Sequence, residues 1–161
     1  MNWDELFSMQ YDLDYYIQQN HDLANSDLFQ EKYLALLVEL GELANETRCF
    51  KFWSKKPRND ASVILEEYVD GLHFILSLGL EKGYRYDSKE LGEHTVSETK
   101  QFNEVFKACT EFYNDTSQSN YESLFLKYLQ LGKLLGYNES DIQDAYYKKN
   151  EINYDRQNKG Y

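Results

Sequence analysis

The stretch Leu34-Ala35-Leu36-Leu37-Val38-Glu39-Leu40-Gly41-Glu42-Leu43 sets the terms for the whole chain, and Val63-Ile64-Leu65-Glu66-Glu67-Tyr68-Val69-Asp70 repeats them. Each is an apolar helical run that carries an acidic pair three residues apart, Glu39-x-x-Glu42 and Glu67-x-x-Asp70. That spacing places both carboxylates on one helix face about a turn apart. The same face has hydrophobes that belong inside, and ionised carboxylates there are unfavourable unless a cation neutralises them. Four hard oxygen donors from two helices suit Mg²⁺ better than zinc, which favours His or Cys. A single pair of this kind is ordinary on a solvated helix face. Two pairs bordered by Leu, Val and Ile are less so, and no Lys or Arg lies between Lys32 and Arg48 to give Glu39 or Glu42 an i±4 partner. Spacing leaves two readings, a metal-holding cluster and a solvated acidic surface.

Outward from these runs the chain divides into helices. Leu6, Met9, Leu13, Tyr16 and Ile17 recur at helical spacing, predicting a first helix over Trp3–Gln19. Residues 20–27 read as a loop, and the second helix covers about Leu28 to Arg48. An aromatic and basic connection follows, Cys49-Phe50-Lys51-Phe52-Trp53-Ser54-Lys55-Lys56-Pro57-Arg58. Asn59 or Asp60 suits the cap of a third helix running to about Lys82, with Gly83 just beyond its end. Tyr84–Thr99 is polar and contains glycine, the composition of a small mobile excursion. Further helices are expected near Lys100–Asn114, Asn120–Leu135 and Ser140–Asn150.

With 161 residues, one Pro and eight Gly, the composition fits a single, nearly all-helical domain that can bury a real core. No apolar run reaches the length of a membrane span, and Met1-Asn2-Trp3-Asp4-Glu5 lacks the form of a signal peptide. Cys49 and Cys109 have neither paired spacing nor ligand companions, which favours a reducing, cytoplasmic compartment. A net charge of −11 argues against duplex nucleic acid or an anionic membrane as partner. It does not argue against a nucleotide, because bound Mg²⁺ and a few cations reverse the sign locally.

The C-terminal stretch Tyr146-Tyr147-Lys148-Lys149-Asn150-Glu151-Ile152-Asn153-Tyr154-Asp155-Arg156-Gln157-Asn158-Lys159-Gly160-Tyr161 concentrates cations, amides and aromatics. Polar tails of this kind are often disordered. The mixture also suits a phosphate chain and a base, through a point charge, a bidentate fork, paired donor and acceptor groups and a flat ring. Little apolar content follows Asn150, so the segment is expected to order over a bound nucleotide as a lid.

In order, Met9-Gln10-x-x-Leu13-Asp14, Glu39-x-x-Glu42-Leu43-Ala44-Asn45-Glu46, Phe50-Lys51-Phe52-Trp53, Glu66-Glu67-x-x-Asp70-Gly71-Leu72-His73-Phe74 and Lys149-Asn150-x-x-Asn153-x-x-Arg156-Gln157-x-x-Gly160-Tyr161 resemble the motifs of the dimeric all-α dUTPases. These are relatives of MazG-type pyrophosphatases, distinct from the trimeric β-rich enzymes. Many members carry Asn where this chain has Asp14. The short length resembles members from Gram-positive bacteria and their phages, whose setting would be the host cytoplasm.

The resemblance implies a helical bundle of the all-α NTP pyrophosphatase type that hydrolyses dUTP, and also dUDP, to dUMP. It implies Mg²⁺ held by Glu39, Glu42, Glu67 and Asp70, and we assign the general base to Glu42. Lys149 and Arg156 would offset phosphate charge, with Asn153 and Tyr161 at the nucleotide. Uracil recognition would fall to Gln10, Trp53 and His73, although Trp53 also suits a core position and His73 a satisfied helix histidine. Glu46 suits a further ligand or a supporting group. The resemblance further implies a homodimer and, for phage members, a repressor-type protein partner. Two other functions fit the residues: a MazG-like pyrophosphatase of another nucleotide, and a regulatory module that binds a repressor.

Overall fold

The structure is a computed structural model that describes residues 1–161. It contains helices α1 (Trp3–Asn20), α2 (Phe29–Thr47), α3 (Ala61–Lys82), α4 (Glu98–Asn114), α5 (Gln118–Leu134) and α6 (Glu139–Asn158), and no strand. The all-α single-domain expectation holds, and no helix is long and apolar enough to cross a membrane.

α3 is the central element because it is apolar on nearly every side. Ile64, Tyr68, Val69, Leu72, Ile75, Leu76 and Leu78 are all buried, the pattern of a helix enclosed by its neighbours. α2 runs antiparallel to it, with Lys32 bonded to Glu81 at one end and Asn59 to Glu46 at the other. Leu36, Leu40 and Leu43 fill the space between the two helices. α1 lies parallel to α3, since Gln10 meets His73 and Asp14 meets Ser77 at the same sequence offset. α5 crosses the opposite side of α3 in antiparallel sense and pairs with α4.

Tyrosines lock α5 onto α3. Tyr68 donates its hydroxyl to the Tyr128 carbonyl at 2.9 Å, Tyr128 returns the bond to the Tyr68 carbonyl, and their rings stack at 4.6 Å. Glycines make room for these hydroxyls. A Cβ on Gly71 would lie 2.2 Å from the Tyr128 oxygen, and one on Gly132 would lie 2.5 Å from that of Tyr68. A buried hydroxyl left unpaired costs about 1–3 kcal/mol, so each socket brings a ring and its bond partner together.

Most helix limits follow their caps. Asn2, Ser97, Ser117 and Asn138 each accept a bond from a backbone N–H of the first turn. The last helix starts at Glu139, one residue from the start expected near Ser140, under an Asn138–Asp141 capping box. One expectation needs correction: the helix continues past Asn150 to Asn158, so the expected lid is already helical. The tail's own sequence lacks the apolar content for this, and α1 supplies the missing surface. Tyr154 packs on Tyr16 at 5.2 Å, the Tyr16 hydroxyl bonds Asn158, and His21 bonds Gln157 at 3.0 Å. The stretch from Tyr84 to Thr99 is irregular up to the start of α4 at Glu98. It is nevertheless anchored, since Tyr86 is buried and stacks on Phe125 at 4.1 Å.

Candidate active site

Glu39 sits midway along α2, where its register carries it toward Asp70 on the antiparallel α3. Leu36, Leu40 and Leu43 bury the α2 backbone on one side and Tyr68, Val69 and Leu72 do the same for α3. The acidic residues therefore fall on the rim of the helix pair, half-sunk beside the core. Carboxylate oxygens of Glu39, Glu67 and Asp70 lie within 4.8 Å of one another. Glu39 Oε2 is buried and has no hydrogen-bond partner.

Electrostatics reflect the crowding. Glu39 is pushed up to about 8, first by burial and then by the charges of Asp70 and Glu42. Glu67 is raised by burial and by Asp70 and Glu42, with Lys149 opposing. Asp70 is raised by burial, against the pull of Lys149. A buried acceptor with no partner amid carboxylates that resist ionising together is the state a divalent cation relieves. The all-oxygen donor set fits Mg²⁺ or a similar hard ion. Glu42 is exposed and lies outside the tight trio, yet its charge reaches both Glu39 and Glu67. Glu46 bonds Asn59, and Glu66 bonds Lys149 at 2.9 Å.

A cavity of about 370 Å³ opens beside this cluster. Glu39 and Asp70 line one end, Gln10 and His73 the other, and Lys149, Asn153, Arg156 and Tyr161 come from α6 and its C-terminus. Lys149 is buried between Glu66 and Asp70, 2.9 Å from an oxygen of each. The Arg156 guanidinium lies 5.2 Å from the centroid of the Tyr161 ring. Of the residues read from the sequence, Trp53 alone stands apart from both the cavity and the carboxylates. Its indole is 64% exposed, edge-on to Phe52 at 5.1 Å.

The far end of the cavity holds a polar network that joins Gln10 and His73, expected at the base, to Asp14, Ser77, Lys32 and Tyr146, to which the sequence assigned no role. Gln10 donates from Nε2 to Asp14 at 2.8 Å and accepts at Oε1 from the Tyr146 hydroxyl at 2.9 Å. His73 Nδ1 lies 2.6 Å from the same Gln10 oxygen. Ser77 donates to Asp14 at 2.6 Å, and Lys32 stands 3.7 Å from that carboxylate. Burial pushes Asp14 upward, against Lys32, Ser77 and Gln10. His73 is driven down to about 3 by burial and by Lys149, so its ring is neutral. Its ring stacks on Tyr146 at 4.3 Å, and Nε2 is buried with no partner. A signal for the missed residues was present. Asp14 is four residues after Gln10 and Ser77 four after His73, the spacing that stacks side chains on one helix face.

A family model described as dUTPase matches residues 2–161. No curated protein matches the chain. The match spans every helix, and the two acidic pairs, the neutral His73 end and the α6 cations Lys149 and Arg156 all fall within it. The chain belongs to the all-α dUTPase family and is a dUTP diphosphatase.

Proposed function

We propose that dUTP lies along the cavity with its phosphates at Glu39, Glu67 and Asp70 and its base at His73. The observation that carries this reading is the carboxylate trio, with a Glu39 oxygen left unpartnered, in a cavity that Lys149 and Arg156 also line. Mg²⁺ held by Glu39, Glu67 and Asp70, with Glu42 completing the set, would supply charge neutralisation for the phosphates and acidify an attacking water. Glu42 takes a proton from water as general base, and its solvent-facing position gives water access. Lys149 leaves its pairing with Glu66 and Asp70 as the phosphates arrive. Arg156 offers a planar fork to phosphate oxygens, and with Lys149 it stabilises charge shifting toward the leaving group. Asn153 and Tyr161 contact the nucleoside. dUDP is accepted because the same contacts serve a shorter chain.

At the other end, the unprotonated His73 Nε2 accepts the imide N–H of uracil. Cytosine presents a lone pair at that position and would leave two acceptors facing each other, which is how an unpaired polar group rejects a near-isostere. The chain works as a homodimer. Leu34 and Val38, a turn apart on α2, are 62% and 50% exposed, and Phe52 is 93% exposed, apolar surface suited to a second copy. Trp53 joins a base site only across such an interface or by movement of its loop. Pyrophosphate release from each of the four canonical dNTPs and dUTP, with and without Mg²⁺, tests the reading. Turnover of dUTP alone, abolished by chelation, is the expected result; equal turnover of dCTP would sink it.

A further inference from the structure

Gln10 can sit in its pocket with its amide in either of two orientations, and they have opposite consequences for His73. In the observed one, Oε1 faces His73 and Tyr146, so Nδ1 must carry the imidazole proton and Nε2 must be bare. In the reverse one, the amide nitrogen would face Nδ1, which would then accept, and the proton would move to Nε2. Tyr146 does not decide between them, because its hydroxyl has a second acceptor in the Leu6 carbonyl at 3.4 Å. Asp14 does. Both of its oxygens accept, Oδ1 from Gln10 and Oδ2 from Ser77, so it draws the Gln10 NH₂ toward itself and turns Oε1 the other way. Asp14 is held to this task by the Ser77 hydroxyl and by Lys32, which is itself fixed by Glu81 at 2.7 Å.

We infer that Asp14, anchored by Ser77 and Lys32, is a positioning residue that orients the Gln10 amide and thereby locks His73 as the Nδ1–H tautomer, leaving Nε2 a buried acceptor. The burial that keeps His73 neutral ensures that a single proton is shared between the two ring nitrogens, so the choice of nitrogen is a choice between acceptor and donor. The consequence for base selection rests on the base-recognition reading above; the tautomer itself does not. Reversal would turn the edge His73 offers from one that suits an imide into one that suits cytosine.

The test uses the full chain labelled with ¹⁵N-histidine, the His73 signals being assigned by their loss in His73→Gln. In the wild type, a pyrrole-type signal is expected at Nδ1 and a pyridine-type signal at Nε2. Asp14→Ala should mix or invert the two and reduce dUTP-over-dCTP discrimination roughly 10- to 100-fold. Asp14→Asn, which keeps an acceptor oxygen, should restore both readouts. An Nε2–H tautomer in the wild type, or an unchanged tautomer in a folded Asp14→Ala protein, overturns the inference. If Asp14→Ala does not fold, Ser77→Ala carries the test: a partial shift of the same signals supports the inference, and none overturns it. A wild type with the expected tautomer but no preference for dUTP would bring down the base-recognition reading alone.

Discussion

The two ends of the cavity are built on opposite electrostatic principles. At one end Glu39, Glu67 and Asp70 crowd together, one oxygen is unpartnered, and all three are pushed upward. At the other, Asp14, Gln10, His73, Ser77 and Tyr146 satisfy one another, and only His73 Nε2 is left over. The first end is tense, a state that a cation would relieve. The second is settled before any ligand arrives, which suits selection of a base by fixed donors and acceptors. α2 and α3 hold the carboxylates and α1, α3 and α6 hold the network, so α3 carries part of both.

The largest expected effect lies at the tense end. Glu39→Gln or Asp70→Asn should lower kcat/KM for dUTP by about a thousandfold or more, because cation positioning serves both binding and water activation. The same variants should fold at least as stably as the wild type without Mg²⁺, since a crowded charge is gone. Near-normal turnover at saturating Mg²⁺ would break the contrast between the ends.

At the settled end the sign is reversed. His73→Leu should destabilise the protein, by about 0.5–1.5 kcal/mol in chemical denaturation, because it removes one of the two donors to the Gln10 oxygen and leaves Tyr146 as the other, and it should erode base discrimination more than turnover. A variant as stable as the wild type would mean the network is not the tight unit the hydrogen bonds indicate.

A smaller effect is expected in the tail. Tyr16→Phe removes the hydroxyl bonded to Asn158 but keeps the ring against Tyr154. Amide exchange near the end of α6 should quicken while exchange in α3 is unchanged, with KM for dUTP rising a few-fold. Equal protection in both proteins would place the docking energy in the ring contact alone.

The smallest effect is a pH slope. Glu39 binds its proton more tightly folded than unfolded, so the folded state holds more protons between the ordinary carboxylate range and about pH 8. The metal-free protein should therefore lose stability as pH rises through that window, by less than about 1.4 kcal/mol per pH unit given the half-exposed site. Thermal scans at several pH values check this, and saturating Mg²⁺ or Glu39→Gln should flatten the slope.

Helical spacing and composition alone determined the all-α class, all six helix starts and five of the six ends to within two residues, and the acidic pairs, because periodicity and caps act over one or two turns. Resemblance in motif order, also a property of the sequence, reached the family. Spacing left the acidic pairs open between a cluster and a solvated surface, and the register between α2 and α3 brings Glu39, Glu67 and Asp70 together. Three further things belonged to tertiary structure. α6 extends to Asn158 because α1 offers Tyr16 and His21, a surface no local propensity contains. Trp53 stands away from the cavity because its loop turns outward beside Phe52. The tautomer of His73 depends on a chain of hydrogen bonds from Ser77 through Asp14 and Gln10, with Lys32 paired to Asp14 by charge, residues from three helices. Spacing within one helix places side chains on a face, but only packing between helices decides which donor meets which acceptor.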